Sequence, residues 1–186
     1  MWNSRDIALV ILLAVAGLVH GILVVQVGMM ITGIPGINYL VGSFGVTIWV
    51  ALSFLLFKGR RWRTFLTVFI FILLTLPFFI MGIPYDVFAR IPGILTIFFV
   101  DIIMNSFYSS YRKKNKLPRW SIITTLVFII FDVILRTLTY PLFYSIDYVS
   151  TYLRVTLVLL PVVLIESAVG GYIGYLIYQR VKKTSK

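Results

Sequence analysis

The sequence contains no cysteine, one histidine and few acidic side chains. Its 186 residues include six Asp or Glu against 17 Lys or Arg. The missing cysteines exclude disulfides, thiol catalysis and Cys-ligated metals, and a lone histidine argues against a metal site. Glycine-rich phosphate loops and the HExxH and GxSxG motifs are also missing. We therefore expect no enzyme activity, no cofactor and no ATP binding by this chain itself.

Apolar residues dominate what remains. They make up 60% of the chain, whereas charged residues make up 12%. A soluble domain of this size lacks the interior to hide so much apolar surface, and a lipid bilayer supplies it. The net charge of +11 is concentrated at the ends of apolar segments, which favours contact with anionic lipid over nucleic acid. The composition predicts a multi-pass protein of the cell membrane.

Six apolar segments are long enough to be membrane spans of about 20 residues. The predicted spans are 6–27, 39–57, 64–81, 93–111, 121–140 and 155–178. Lys and Arg cluster at 58–63, 112–119 and 180–186, after every second span. Because cytoplasmic loops carry the excess of Lys and Arg, the fold class predicted is an all-α bundle of six transmembrane helices with both termini cytoplasmic. It forms a single domain over residues 1–186, in which 141–154 is an outer segment that is partly helical along the membrane surface.

Five ionisable side chains fall well inside these predicted spans: His20, Asp101, Asp132, Arg136 and Glu166. Each one needs a partner or a function, because a charge at the bilayer centre costs at least about 2.5–3.5 kcal/mol. For the lone His20, a hydrogen bond within the bundle is the expected role. Asp132 and Arg136 stand four residues apart on one helix face, which predicts an ion pair. That pair is either purely structural or leaves Arg136 able to meet an anionic group of a ligand. Asp101 and Glu166 bond either to the bundle or to a ligand.

Tyrosines are concentrated on the predicted outer side of the membrane. Interfacial anchoring and a pocket wall are the two interpretations of this group. The pocket interpretation joins the tyrosines to the buried charges in one substrate site. The predicted substrate-binding residues are Tyr39, Tyr85, Asp101, Arg136, Tyr140, Tyr144 and Glu166.

Small residues recur at helical spacing in the first and last spans. Gly17 and Gly21 form one GxxxG pair, and Gly170 and Gly174 form another. Glu166, Gly170 and Gly174 share one helix face. Small residues let a second helix approach closely. Packing inside the bundle and contact with another subunit are both open on this evidence.

Three stretches of the chain resemble a known family. They are the opening 4–17, the entry to the fourth span at 91–103, and the ending 166–176 with its basic tail. Together with the six-span layout they resemble the substrate-binding S components of energy-coupling factor (ECF) vitamin transporters. The family's first helix often carries Ala-x-x-x-Ala, whereas here only Gly17 and Gly21 are small residues four apart.

The resemblance implies capture of a small vitamin-like molecule at the extracellular side, with the loop between the first two spans as a lid. It also implies partners on other chains, namely a transmembrane coupling subunit and ATPase subunits that power uptake. An alternative from another class is an accessory or structural membrane protein without a ligand of its own. An intramembrane enzyme is a third alternative and requires two of the carboxyls to converge.

Overall fold

The computed structural model describes residues 2–32, 37–78 and 85–184, and this part of the chain contains helices and no strand. The helices are α1 Ser4–Thr32, α2 Ile37–Phe57, α3 Arg63–Leu74, α4 Phe88–Lys113, α5 Leu117–Leu142 and α6 Ile146–Thr184. A π-helical stretch, Gly21–Gln26, lies within α1.

Four of these helices, α1, α4, α5 and α6, are long and apolar enough to cross a membrane. In contrast, α3 has 12 residues. At 1.5 Å per residue it is about 18 Å long, less than the hydrocarbon core of about 30 Å. The all-helical class and the membrane character of the chain therefore follow from helix length and composition.

The helices run alternately between two ends of the bundle. At one end, which we call the basic end, Arg63 at the start of α3 forms an ion pair with Asp6 near the start of α1. At the other, which we call the tyrosine end, Tyr144 between α5 and α6 donates a hydrogen bond to Asp86 before α4. The described parts of all three Lys/Arg-rich segments, 58–63, 112–119 and 180–184, lie at the basic end, as their alternation along the sequence predicts.

The third helix is shorter than predicted. The sequence predicts helix over 64–81, but α3 ends at Leu74, and residues 75–78 form turns. Pro77 is the physical reason, because a proline disfavours helical geometry in the residue before it and lacks an N–H to donate. The buried guanidinium of Arg90 holds the turn that follows, because it donates to the carbonyl of Thr75 at 3.0 Å and to that of Phe78 at 3.2 Å.

The last helix begins earlier than predicted. The sequence predicts a separate outer segment over 141–154 and a span from 155, but α6 starts at Ile146 and continues without a break to Thr184. The Ser145 hydroxyl accepts a hydrogen bond from the Tyr148 N–H at 3.4 Å, as in an N-cap. No glycine or proline interrupts 146–154, so nothing in this stretch ends the helix.

Glycines allow α6 to pack closely against α2. A Cβ added at Gly174 would lie 2.9 Å from the carbonyl oxygen of Ile48, and one added at Gly170 would lie 2.9 Å from that of Phe44. Gly17 of α1 likewise faces Trp49 inside the bundle. The predicted helix-packing face of α6 is confirmed, and its glycines serve contacts within this chain.

Candidate functional site

An internal cavity of about 90 Å³ lies between five of the helices. Its wall is mostly apolar. The residues that line it come from α1 to α5: Val25, Gly42, Ser43, Val46, Trp49, Val68, Phe71, Ile72, Gly93, Phe128, Ile129, Asp132 and Arg136. Val25 belongs to the π-helical stretch of α1, an irregularity often found at functional sites. The cavity thus combines an apolar wall with a few polar groups, as small-molecule sites do.

The charged part of this wall is the Asp132–Arg136 pair of α5. Arg136 Nε donates to Asp132 Oδ2 at 2.8 Å, and both side chains are more than nine-tenths buried. The predicted i, i+4 ion pair is therefore confirmed. Arg136 Nη1 also donates to the carbonyl of Ala89 at 3.3 Å and to the hydroxyl of Tyr140. These contacts orient the guanidinium at the tyrosine end of the cavity.

The pair gives the cavity both a hydrogen-bond acceptor and a cation. Thr96 donates to Asp132 Oδ1 at 3.5 Å, a long contact, so this oxygen is weakly engaged by that hydroxyl. Electrostatic interactions are stronger in a low-dielectric interior than in water. A small molecule that carries a donor for Asp132 and an acceptor for Arg136 is the chemistry this wall suits.

Glu166 is connected to the cavity through Ser43. Ser43 lines the cavity and donates its hydroxyl to the carboxylate of Glu166 on α6. Glu166 itself is half-buried behind that serine. The predicted site residue Glu166 therefore stands one hydrogen bond away from the cavity wall.

Aromatic side chains form the opposite part of the wall. The Trp49 and Phe71 rings pack at a centroid distance of 5.1 Å, and Phe128 faces the same space. The indole N–H of Trp49 donates to the carbonyl of Leu13, which fixes the ring. No role in a site is predicted from the sequence for Trp49, Phe71 or Phe128. Their aromatic character alone does not distinguish a cavity wall from ordinary core.

A cluster of four tyrosines covers the tyrosine end beside Arg136. Tyr140 packs against Tyr144 at 5.0 Å and against Tyr152 at 4.8 Å between ring centroids, and Tyr148 completes the cluster. Burial, and then the hydrogen bond that Tyr144 donates to Asp86, raise the pKa of the Tyr144 phenol. Tyr140 and Tyr144 thus lie together next to the cavity cation, although neither lines the cavity itself.

Two other predicted tyrosines are not part of this cluster. Tyr85 is 73% exposed and has a positive φ of 61°. It does not line the cavity. The side chain of Tyr39 and the loop 33–36, predicted to be a lid, lie outside the described residues.

Asp101 lies away from the cavity and has a structural role. Its carboxylate accepts hydrogen bonds from the backbone N–H groups of Trp62 at 2.7 Å and Phe65 at 3.3 Å. It thus caps the start of α3, where the sequence provides no local capping side chain. Asp101 does not line the cavity, and its place in a substrate site stays a prediction. Its partners are separated from it by almost 40 residues, so no spacing rule could have identified them.

Asp6 carries a buried charge, and its burial is not predicted from the sequence. It is the first residue of the predicted span 6–27, and it forms ion pairs with Arg63 at 2.9 Å and with Arg60 at 3.0 Å. The Arg63 guanidinium also lies 4.6 Å from the ring centroid of Trp2. The available signal was the position of Asp6 at the N-terminal end of the first span, which the predicted topology places on the same side of the membrane as the basic segment 58–63.

Comparison of the chain with protein-family models, with curated proteins and with solved structures gives no match. The functional argument therefore rests on the geometry of the cavity and on the distribution of charge.

Proposed function

We propose that this protein is the membrane-embedded substrate-capture subunit of an ECF-type importer and that it binds a small vitamin-like molecule in the cavity beside Asp132 and Arg136. The observation that carries the proposal is the apolar cavity between the helices that is bordered by a buried acid–arginine pair. Buried ionisable groups of membrane helices generally mark substrate or ion pathways. An accessory role through exposed GxxxG faces is less well supported, because Gly17, Gly170 and Gly174 all pack within the chain.

In this proposal the chain crosses the membrane six times, the third time by α3 together with the residues that follow Leu74, and the basic end is cytoplasmic. The positive-inside rule supports this orientation, because the three Lys/Arg-rich segments share that end. Both termini are then cytoplasmic, and the tyrosine end faces outward. Substrate enters from the tyrosine end, where Arg136 is held by Ala89 and Tyr140.

The size of the cavity bears on the ligand. Pockets for drug-sized molecules measure about 300–1,000 Å³, whereas this cavity measures about 90 Å³. A vitamin-sized molecule therefore requires the walls to separate when it binds. The sequence has no phosphate-binding loop, so energy for uptake comes from a coupling subunit and ATPase subunits on other chains.

A thermal-shift screen tests ligand binding. The protein, purified in detergent, is heated with each member of a panel of water-soluble vitamins and precursors. We expect one of them to raise Tm, because a ligand that binds the folded state stabilises it by mass action. The matched control is Val46→Phe, which fills the cavity with an apolar ring and should abolish that rise. A panel in which no compound raises Tm favours the accessory role.

Cysteine labelling tests the orientation, and the absence of native cysteines makes it specific. Asn115→Cys places a thiol in the turn at the basic end, and Ile146→Cys places one at an 83% exposed position of the tyrosine end. On intact cells an impermeant reagent should label only Ile146→Cys. Labelling of Asn115→Cys alone would reverse the orientation.

A further inference from the structure

A groove at the basic end combines cations with exposed apolar surface. It lies between the end of α4 and the start of α5 and has a volume of about 460 Å³. Lys114, Lys116 and Arg119 line its polar part, together with Ser110 and Tyr111. Phe107 and Ile123, which are 53% and 37% exposed, line its apolar part. We call this the α4–α5 groove.

The cations of the groove have no acidic neighbour. The six carboxylate side chains of the sequence are all described, and each lies elsewhere in the bundle. Five of them bond to groups outside the groove, and the sixth, Asp147, is in the first turn of α6. Those five are Asp6 with Arg60 and Arg63, Asp86 with Tyr144, Asp101 with the start of α3, Asp132 with Arg136, and Glu166 with Ser43. Three cations therefore share one groove without an ion-pair partner among these side chains, which favours an anionic ligand.

The frame of the groove is fixed by buried contacts. Trp120 in the first turns of α5 is fully buried, and its indole N–H donates to the carbonyl of Met104 on α4 at 3.1 Å. The N–H of Lys116 donates to the carbonyl of Tyr111 at 2.9 Å across the turn. Lys114 is the C-cap residue of α4 and Lys116 is the N-cap residue of α5, so the opposed dipoles of the two helix ends offset each other and the positive potential comes from the side chains.

The apolar part indicates what kind of anion fits. Phe107 precedes Lys114 by seven residues, about 10 Å along a helix, and Ile123 follows Arg119 by one helical turn. Both apolar side chains therefore lie deeper along the bundle than the cations. An amphiphile with a phosphate head and an acyl chain matches this order, whereas a free anion uses only the cations. Basic pockets between membrane helices on the cytoplasmic side bind anionic lipid headgroups.

We propose that the α4–α5 groove binds one anionic phospholipid, with its phosphate against Lys114, Lys116 and Arg119 and an acyl chain along Phe107 and Ile123. This site is separate from the cavity of the proposed function, and its test uses variants that leave the cavity unchanged. Inorganic phosphate presents the same charged chemistry without the chain, so it distinguishes a lipid from a free anion.

The test titrates phosphatidylglycerol, phosphatidylcholine or inorganic phosphate into the detergent-solubilised protein, with Tm and native mass spectrometry as readouts. Phosphatidylglycerol should raise Tm and leave one lipid bound after detergent is removed, whereas phosphatidylcholine should do neither. The triple variant K114Q/K116Q/R119Q should bind phosphatidylglycerol about 100-fold more weakly. The control triple R5Q/K58Q/K183Q removes the same number of positive charges at exposed positions outside the groove and should bind phosphatidylglycerol normally.

Three results would overturn the proposal. The first is equal loss in both triple variants, which would make the effect one of net charge. The second is full binding by the groove variant. The third is a Tm rise with inorganic phosphate equal to that with phosphatidylglycerol at the same concentration. A further variant, Phe107→Ala, removes part of the apolar surface of the groove and keeps every charge. It should weaken phosphatidylglycerol binding, and unchanged binding would contradict the placement of the chain.

Discussion

The two ends of the bundle each contain a buried acid–arginine arrangement, and the two differ in what lies beside them. At the tyrosine end, Asp132 and Arg136 border the internal cavity. At the basic end, Asp6 holds Arg60 and Arg63, and Asp101 caps the helix that Arg63 begins. The first arrangement lines a cavity, whereas the second connects the starts of α1 and α3 to neighbouring segments of the chain.

This difference shows that burial of a charge does not by itself identify a ligand site. Asp101 is fully buried in a predicted span, yet its carboxylate is occupied by the N–H groups of Trp62 and Phe65. Asp132 is also buried, but its side chain lines the cavity. Changes to the Asp132–Arg136 pair should therefore alter both stability and binding of the small molecule, whereas changes to Asp6 or Asp101 should alter stability and leave that binding unchanged.

The largest effect is expected at Asp132. Asp132→Ala leaves the Arg136 guanidinium buried without its counter-ion and should lower the free energy of unfolding by about 3–5 kcal/mol. The double variant Asp132→Ala with Arg136→Ala should regain much of that loss. Thermal denaturation of both singles and the double forms a double-mutant cycle. If the double loses as much as the two singles added together, the pair is not coupled.

A smaller effect is expected at Asp6. Asp6→Ala removes the charged hydrogen bonds from Arg60 and Arg63, at a cost of about 1.5–3 kcal/mol. Arg60 is half-exposed and regains water, which limits the loss. The Tm of the unliganded variant should be lower than that of the original protein. The increase in Tm on adding the vitamin found in the screen should be the same for both. A variant that loses this rise would place Asp6 in the ligand-binding pathway.

Asp101 provides a test of the helix cap. Asp101→Ala should cost about 0.5–2 kcal/mol, the usual range for an N-cap. Asp101→Asn keeps one acceptor oxygen and should cost less. Amide exchange at the start of α3 should increase in the alanine variant. If ligand affinity falls in the asparagine variant while amide exchange stays unchanged, Asp101 belongs to the substrate site as the sequence predicted.

The smallest effect is expected at Tyr144. Tyr144→Phe removes the hydrogen bond to Asp86. Both side chains are half-buried and water can replace the bond, so the cost should be about 0.5–1.5 kcal/mol, below the usual range for a bond to a carboxylate. Tyr85→Phe is the matched control, because that ring is exposed, and it should leave Tm unchanged. Equal Tm losses in the two variants would argue against a specific role for the Tyr144–Asp86 contact.

The sequence predicts the helical class, the grouping of basic segments and the Asp132–Arg136 pair, because each depends on local pattern or on i, i+4 spacing. It misplaces the end of α3 and the start of α6. Whether Pro77 ends a helix or only bends it, and whether 146–154 continues a helix, depends on the tertiary contacts of those residues. The sequence does not locate the cavity wall of Trp49, Phe71 and Phe128. Helix rotation decides that, and no periodicity in one helix fixes its rotation against another.

The central claim is that the cavity admits a small molecule from the tyrosine end. Ser43 and Ser53 allow a matched measurement, because both are buried on α2 but only Ser43 lines the cavity. Each serine is replaced singly by cysteine, and intact cells are exposed to a small impermeant thiol reagent. The account predicts that Ser43→Cys reacts, that the vitamin found in the screen slows this reaction, and that Ser53→Cys does not react. Equal reactivity at the two positions, or an unreactive Ser43→Cys, would contradict it.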